Sequence, residues 1–407
     1  MQRVSSMSAF GRGRAARPPG MRLGNLDAQV RAALFGQGQG GYMLSFDRTD
    51  CLYQAPDGTL QASAAGNPLG LVLDQRFGGP AADQIINGGF NDASGWTLST
   101  PWSISGGRAI KAAGNSGSLT QAQTLEVGAY YEITFDYYNV SGSGTLYAAI
   151  RGGTTRFGPV VTADTLGTGK YRAVIQAVSG NNTVDITVPN GPVVGEFDNY
   201  TLRKLPGNHF QQATATARPI LRQGTSGAWY AEGDGVDDLL IIPAAIDLSA
   251  FNHVTQFLGI ALNTAITSGR VIAESSANSG TIPATHGFVF GADQSISARV
   301  YGANAPVTVV SSGGAVVVGT KYNAMHSASL DVANNFLQIN SLQSSSPNNP
   351  GGTKFGNFAH SLLGRNGTSG VNAPAALYCY TAVFSNGPLS AVQQALGRSW
   401  VRSKMGA

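Results

Sequence analysis

Tyr131-Glu132-Ile133-Thr134-Phe135-Asp136-Tyr137-Tyr138 sorts its side chains by alternate positions. Period two is the repeat of a β-strand with one buried face, and the run has strand length. Tyr131, Ile133, Phe135 and Tyr137 share the face read as core. Glu132, Thr134, Asp136 and Tyr138 share the other. Working outward, further strand candidates appear at 255–260, 287–290, 307–310 and 315–318. Turn clusters such as Pro56-Asp57-Gly58, Gly66-Asn67-Pro68 and residues 344–352 punctuate them. Composition agrees. The chain has 407 residues, long enough for two or three cores, with 12% charged residues and 54 glycines. Few charges and many small polar residues suit tight-turned β domains and exclude a helical bundle.

Charge is concentrated at one end. Arg3, Arg12, Arg14, Arg17, Arg22 and Arg31 face a single Asp27, while the body is close to neutral. Nucleic acid is therefore not an expected partner of the body. Leu23, Leu26, Val30 and Leu34 recur at helical spacing, Asn25 or Asp27 is placed to cap, and Gly36 ends the run. Residues 36–41 read as a flexible hinge. So short a helix cannot bury its own stripe, and docking on another chain is expected. At the other end, residues 377–384 read as a strand. A helix follows with Ser390 as N-cap and Val392, Leu396 and Trp400 along one face.

No apolar run approaches the roughly 18 residues of a membrane span. The arginine-rich start lacks the apolar stretch of a secretory signal; it does mimic a mitochondrial transit peptide. Cys51 and Cys379 are too few and too far apart for a zinc spacing or a disulfide framework.

Two separated segments carry a family resemblance. One is Gly70-Leu71-Val72-Leu73-Asp74-Gln75. The other runs from Gly207-Asn208-His209-Phe210-Gln211-Gln212 through Arg218-Pro219 to Gly233-Asp234-Gly235-Val236-Asp237-Asp238-Leu239. Together they resemble phage virion proteins with a concanavalin-like (laminin-G-like) jelly roll, in which these stretches run on without interruption. The strand-then-helix ending resembles the close of the same jelly rolls. Between the two halves lie Asn87-Gly88-Gly89-Phe90-Asn91, Gly95-Trp96, residues 125–136 and Glu196-Phe197-Asp198-Asn199-Tyr200-Thr201-Leu202. These are similar to signatures of xylan- and glucan-binding modules. The resemblances imply an all-β chain: two β-sandwich (jelly-roll) domains, a short N-terminal helical or extended arm, and a C-terminal helix. Residues 1–41 would be the basic arm and virion anchor, and 42–76 a β lead-in to the C-terminal unit. Residues 77–206 would form the inserted sandwich, and 207–407 the jelly roll.

Catalysis is not expected. His209, His253, His286, His326 and His360 stand singly, without HExxH, HxH or CxxC companions, and read as surface or turn residues. Retaining glycosidases of concanavalin-like fold use E-x-D-x-x-E to set two glutamates on one strand face. The one E-x-D here, Glu196-Phe197-Asp198, continues to Thr201 instead. In the resembling modules the closing-strand Asp helps hold a structural calcium near the first turn. Asp198 takes that place, with Asn91 where the turn carries Glu, one charge fewer for a hard cation. Asp234, Asp237 and Asp238 read as turn residues.

Sugar binding needs aromatic faces beside hydrogen-bonding groups. Trp102, beside Pro101, is the expected exposed platform, with Glu132, Asp136 and Tyr138 as the polar face; Trp96 is read as core. The expected function is a structural component of a phage particle (tail fibre, baseplate or head decoration), assembled in the host cytoplasm and released by lysis. Its partners would be other virion proteins and host surface polysaccharide, and homo-oligomers, trimers first, are expected. The alternatives are a polysaccharide depolymerase and a purely architectural cementing protein.

Overall fold

The computed structural model describes residues 26–406, except 115, 163–165, 189–191, 276–283, 305, 312–315, 334 and 368–369. The chain is all-β apart from a helix near each end.

Between Thr97 and Leu205, two sheets face each other. One has the order Gly167–Gln176, Tyr130–Ser141, Val194–Leu205, Arg108–Lys111, Trp102–Ser105. The other runs Arg156–Phe157, Thr145–Arg151, Thr183–Val188, Gly117–Ala122, Thr97–Leu98, with Val161–Thr162 on the edge of Thr145–Arg151. The alternation of the central strand sets the core: Tyr131, Ile133 and Phe135 point inward among Phe90, Trp96, Phe197, Tyr200 and Leu202. Phe135 stacks on Tyr171 at 4.6 Å between ring centres.

A second, larger sandwich uses residues from both sides of this one. Gly41–Ser45 pairs with Leu377–Asn386, and Leu71–Val72 pairs with Phe210–Gln211. Its eight-stranded sheet is centred on His253–Leu262, Lys321–Ser329 and Leu377–Asn386; its nine-stranded sheet on Arg270–Ser275, Thr285–Phe290 and His360–Leu362. Over 316–318, where a strand was expected, none forms; Val316 alone is buried there, and Val317 and Val318 are exposed.

The chain leaves and re-enters this jelly roll at one point. The buried Asp74 carboxylate accepts backbone N–H groups of Met43 (3.0 Å), Arg76 (2.9 Å) and Asn208 (2.9 Å). In return, Asp74 N–H donates to His209 Nδ1 at 3.0 Å. Gly207, at φ +129°, lies so close that a Cβ there would stand 2.6 Å from the Asp74 side chain. Segments far apart in sequence are thus joined by backbone–carboxylate bonds within one turn.

The N-terminal helix, Leu26–Phe35, corrects an expectation. Its stripe docks on its own chain: Val30 and Leu34 are 0% exposed, packed among Met43, Phe257, Trp400 and Val401. Trp400 Nε1 donates to Asp27 at 2.6 Å, and Lys404 pairs with the same carboxylate at 3.0 Å. The physical reason is the eight-stranded sheet, whose outer apolar face must be covered; the C-terminal helix Ala391–Lys404 covers it only in part. The rest of the expected arm, residues 1–25, lies outside the described residues. At the other end Ser390 caps its helix, with Gln393 completing a reciprocal capping box.

Candidate glycan-binding faces

The residues expected to bind sugar fall into three environments. Trp102 is not a platform. It is 6% exposed in the strand Trp102–Ser105, with its ring 5.2 Å from Phe197. The strand pairing turns it into the core, which loop-like sequence beside Pro101 did not reveal. Glu132 is also removed from a sugar face. It accepts from Arg172 Nε at 2.6 Å, and Arg172 reaches Tyr53 Oη at 2.8 Å across the seam between the sandwiches. Beside this contact lies an apolar cluster of Tyr53, Leu71, Leu73, Tyr130, Val174 and Leu205, with Arg156 and Asp57 as an ion pair across the seam and a cleft of about 80 Å³ alongside.

Asp136 and Tyr138 do share an outer face of the five-stranded sheet, but their groups are engaged. Asp136 accepts from Asn199 Nδ2 at 2.8 Å and pairs with Lys170 at 3.2 Å. The Arg108 guanidinium lies 4.1 Å over the Tyr138 ring and pairs with Glu196. Cross-strand pairing sets Asp198 opposite Asp136. This face is charged, and the one half-buried ring on it is already covered on one side.

For calcium, Asp198 accepts from Asn199 N–H at 2.7 Å, while Asn91 N–H donates to Asn87 Oδ1 at 3.0 Å. No hydrogen bond joins Asn91 to Asp198 among the described residues. One carboxylate and one amide fall short of the roughly six to eight oxygens that calcium takes, so the pair does not by itself make a site. Among the described residues, the converging acidic group is Asp234, Asp237 and Asp238. It behaves as a turn: Asp234 Oδ1 accepts from Val236 and Asp237, and Asp238 from Asp234. Burial pushes the Asp238 carboxyl up to about 6.

A third surface escaped the sequence reading. On the outer face of the six-stranded sheet, Tyr147, Ala149 and Arg151 stand beside Thr187, Asp185 and Thr183. Ser118, Thr120 and Ala122 follow in the next strand, and Phe157 pairs opposite Ala149. Phe157 is 44% exposed and meets Tyr147 edge-on at 5.1 Å. Arg151 donates to Asp185 and, at 2.6 Å, to Thr187 Oγ1. Burial pushes the Asp185 carboxyl upward, opposed by the bonds from Thr187 and Arg151. The two charges compensate each other, and Asp185 (0% exposed) and Thr187 (5%) are buried, so what faces solvent is the aromatic corner and the partly exposed Arg151 guanidinium. Past the Ala122–Thr183 row the surface falls into an open groove of about 620 Å³, lined by Gln84, Ile86, Gln123, Thr124, Asn182 and Thr183. The sequence signal was available in Thr145–Arg151 and Thr183–Val188, which alternate as clearly as the central strand. It was missed because Phe157 sits in a two-residue strand whose facing only the pairing fixes.

The histidines also moved. His209, His286, His326 and His360 are buried, against the surface reading, because strand alternation turns the last three into the jelly-roll interior.

No family model matches the chain, and no curated protein does either. Solved structures similar to it are distant. Trypanosoma rangeli sialidase in complex with the inhibitor DANA is 11% identical over 49% of this chain and 29% of its own, with a TM-score of 0.30. The binding domain of botulinum neurotoxin serotype D is 14% identical over 46% of this chain and 47% of its own, at 0.32. Domains LG4-5 of the mouse laminin alpha1 chain are 11% identical over 68% of this chain and 88% of their own, at 0.33. The chain thus spans less than a third of the sialidase. Likenesses this faint assign neither a family nor an activity.

Proposed function

We propose that this chain is a non-catalytic, glycan-binding display protein of a phage particle, with its sugar face on the six-stranded sheet of the inserted sandwich. The observation that carries the binding reading is the exposed Phe157–Tyr147 corner, with the partly exposed Arg151 guanidinium on the same strand as Tyr147. Pyranose rings stack on such aromatic surfaces while their hydroxyls seek fixed polar partners. The phage reading rests on the resemblance of residues 70–75 and 207–239, whose halves meet at Asp74 and Asn208. The basic residues 1–25 are the proposed contact to other virion proteins. Absence of the paired-glutamate motif supports a non-catalytic role; Glu196 is spent on Arg108.

A glycan array probed with the full chain tests the binding reading, with Phe157→Ala as the variant. Binding that falls at least tenfold in Phe157→Ala supports it. Wild-type binding retained by Phe157→Ala, or no binding at all, rejects this face. New reducing ends from purified capsule would instead favour the depolymerase. Labelling of intact particles with an antibody to the chain tests the phage assignment separately.

A further inference from the structure

Five side chains with polar ends form a layer through the jelly-roll interior. From the eight-stranded sheet come Tyr42, Gln256 and His326, linked through the pairings Tyr42–Phe384, Gln256–Phe384 and Gln256–His326. His286 and His360 project from the facing sheet. The three histidines are each 1% exposed. His286 stacks on Phe384 at 5.0 Å, His360 lies 4.5 Å from Phe384 and 5.7 Å from Tyr42, and His286 and His360 are 5.6 Å apart. His326 meets Phe288 edge-on at 5.7 Å.

The layer is under-bonded. Ser275 Oγ meets His286 Nδ1 at 2.7 Å, and Gln256 Nε2 donates to Tyr42 Oη at 2.9 Å. Gln256 Oε1, His286 Nε2, both ring nitrogens of His326 and His360 Nε2 have no partner among the described residues. Among the described residues, no carboxylate pairs with any of these rings. The titratable groups acting on them are one another and His253, itself bonded to Ser327. Tyr42 is flanked by Cys379 and, from further off, by Asp74. An imidazolium placed here would be cut off from bulk solvent and, among the described residues, would face no counter-ion, so the layer favours neutral rings.

The inserted sandwich contrasts with this. All five histidines lie outside residues 77–206.

We propose that the His286–His326–His360 layer makes the jelly roll an acid-sensitive element, which opens on mild acidification while the histidine-free insert stays folded. Desolvation holds His286 down to about 3, and His326 and His360 well below the ordinary value; His209 at the seam is held to about 4. The sign follows. Folded values lie below the unfolded value of about 6.5. The stability of the neutral form is therefore complete above pH 6.5 and is lost progressively as pH falls toward the folded values. Asp74 and Asp238 act oppositely. Burial raises each to about 6, so they bind protons on folding and offset part of the loss. With five imidazoles held below the ordinary value and two carboxyls held above it, unfolding of the jelly roll should take up net protons between pH 5 and 6.

Hydrogen exchange read by mass spectrometry on the full chain, from pH 7.5 to 4.0 with rates corrected for pH, decides the matter. The expected result is loss of protection in peptides from 253–262, 285–290 and 321–329 between pH 6.5 and 4, while peptides from 130–141 and 194–205 stay protected. His326→Leu, which cannot be protonated, should lower the acid midpoint and reduce proton uptake by about one. Should His326→Leu fail to fold, the pH dependence of the wild-type urea midpoint gives the uptake by itself. Joint loss of protection in both sandwiches, a jelly roll protected down to pH 4, or no net proton uptake would overturn the proposal.

Discussion

Phe135 and Phe157 separate core from surface at single-residue scale. Phe135 is fully buried between Tyr171 and Tyr200, so Phe135→Ala should lower the stability of the inserted sandwich by about 3–5 kcal/mol in urea unfolding. Phe157 is nearly half exposed, and Phe157→Ala should change stability by no more than about 1 kcal/mol while reducing glycan binding. Tyr138→Ala is the matched control from the opposite sheet and should leave glycan binding intact. Alternation made Phe135 legible, because its neighbours two residues away are apolar too. Trp102 was misread because its burial depends on partners in Arg108–Lys111 and Val194–Leu205. The histidines were misread for a related reason: in a strand, facing decides burial, and polarity alone does not.

The N-terminal helix makes a prediction at the scale of an element. A free arm could be removed without cost, but Leu34 is 0% exposed and packed in the cluster around Trp400. Leu34→Ala should therefore destabilise the jelly roll by about 2–5 kcal/mol, seen as a lower thermal midpoint. An unchanged midpoint would return the helix to the status of a free arm. Its helical period was readable; its destination was not. An amphipathic stripe signals that a partner exists but carries no address, and here the partner is a sheet assembled from strands hundreds of residues away. The capping box at Ser390, by contrast, was legible because cap and partner are three residues apart.

At the scale of the molecule, the two crossings between the sandwiches are adjacent. Asp74 and Asn208 are hydrogen-bonded at 2.9 Å, so joining Arg76 to Gly207 should close the jelly roll with little strain. The product should unfold cooperatively but at lower denaturant, because Tyr53, Leu71 and Leu73 lose their cover from Tyr130, Val174 and Leu205. An aggregated deletion protein would show that the outer sandwich needs the inner one to fold. The joint itself should be sensitive to bulk: Gly207→Ala places a methyl 2.6 Å from Asp74 in a backbone region disfavoured for alanine. Loss of at least about 1 kcal/mol is expected in the same urea assay.

By itself, the sequence determined what depends on near neighbours: the β class, the inward face of the central strand, the helix periods and the C-terminal cap. Each is written in a local repeat, two residues for a strand and about 3.6 for a helix. Tertiary structure alone decided what depends on distant pairing. It buried Trp102, drew Glu132 into the seam, seated the N-terminal helix on its own sheet, gathered His286, His326 and His360 into one layer, and left Phe157 facing water. The physical reason is that a sandwich buries its strands through contacts between chain segments far apart, and a residue's final dielectric is set by what the other sheet brings to it.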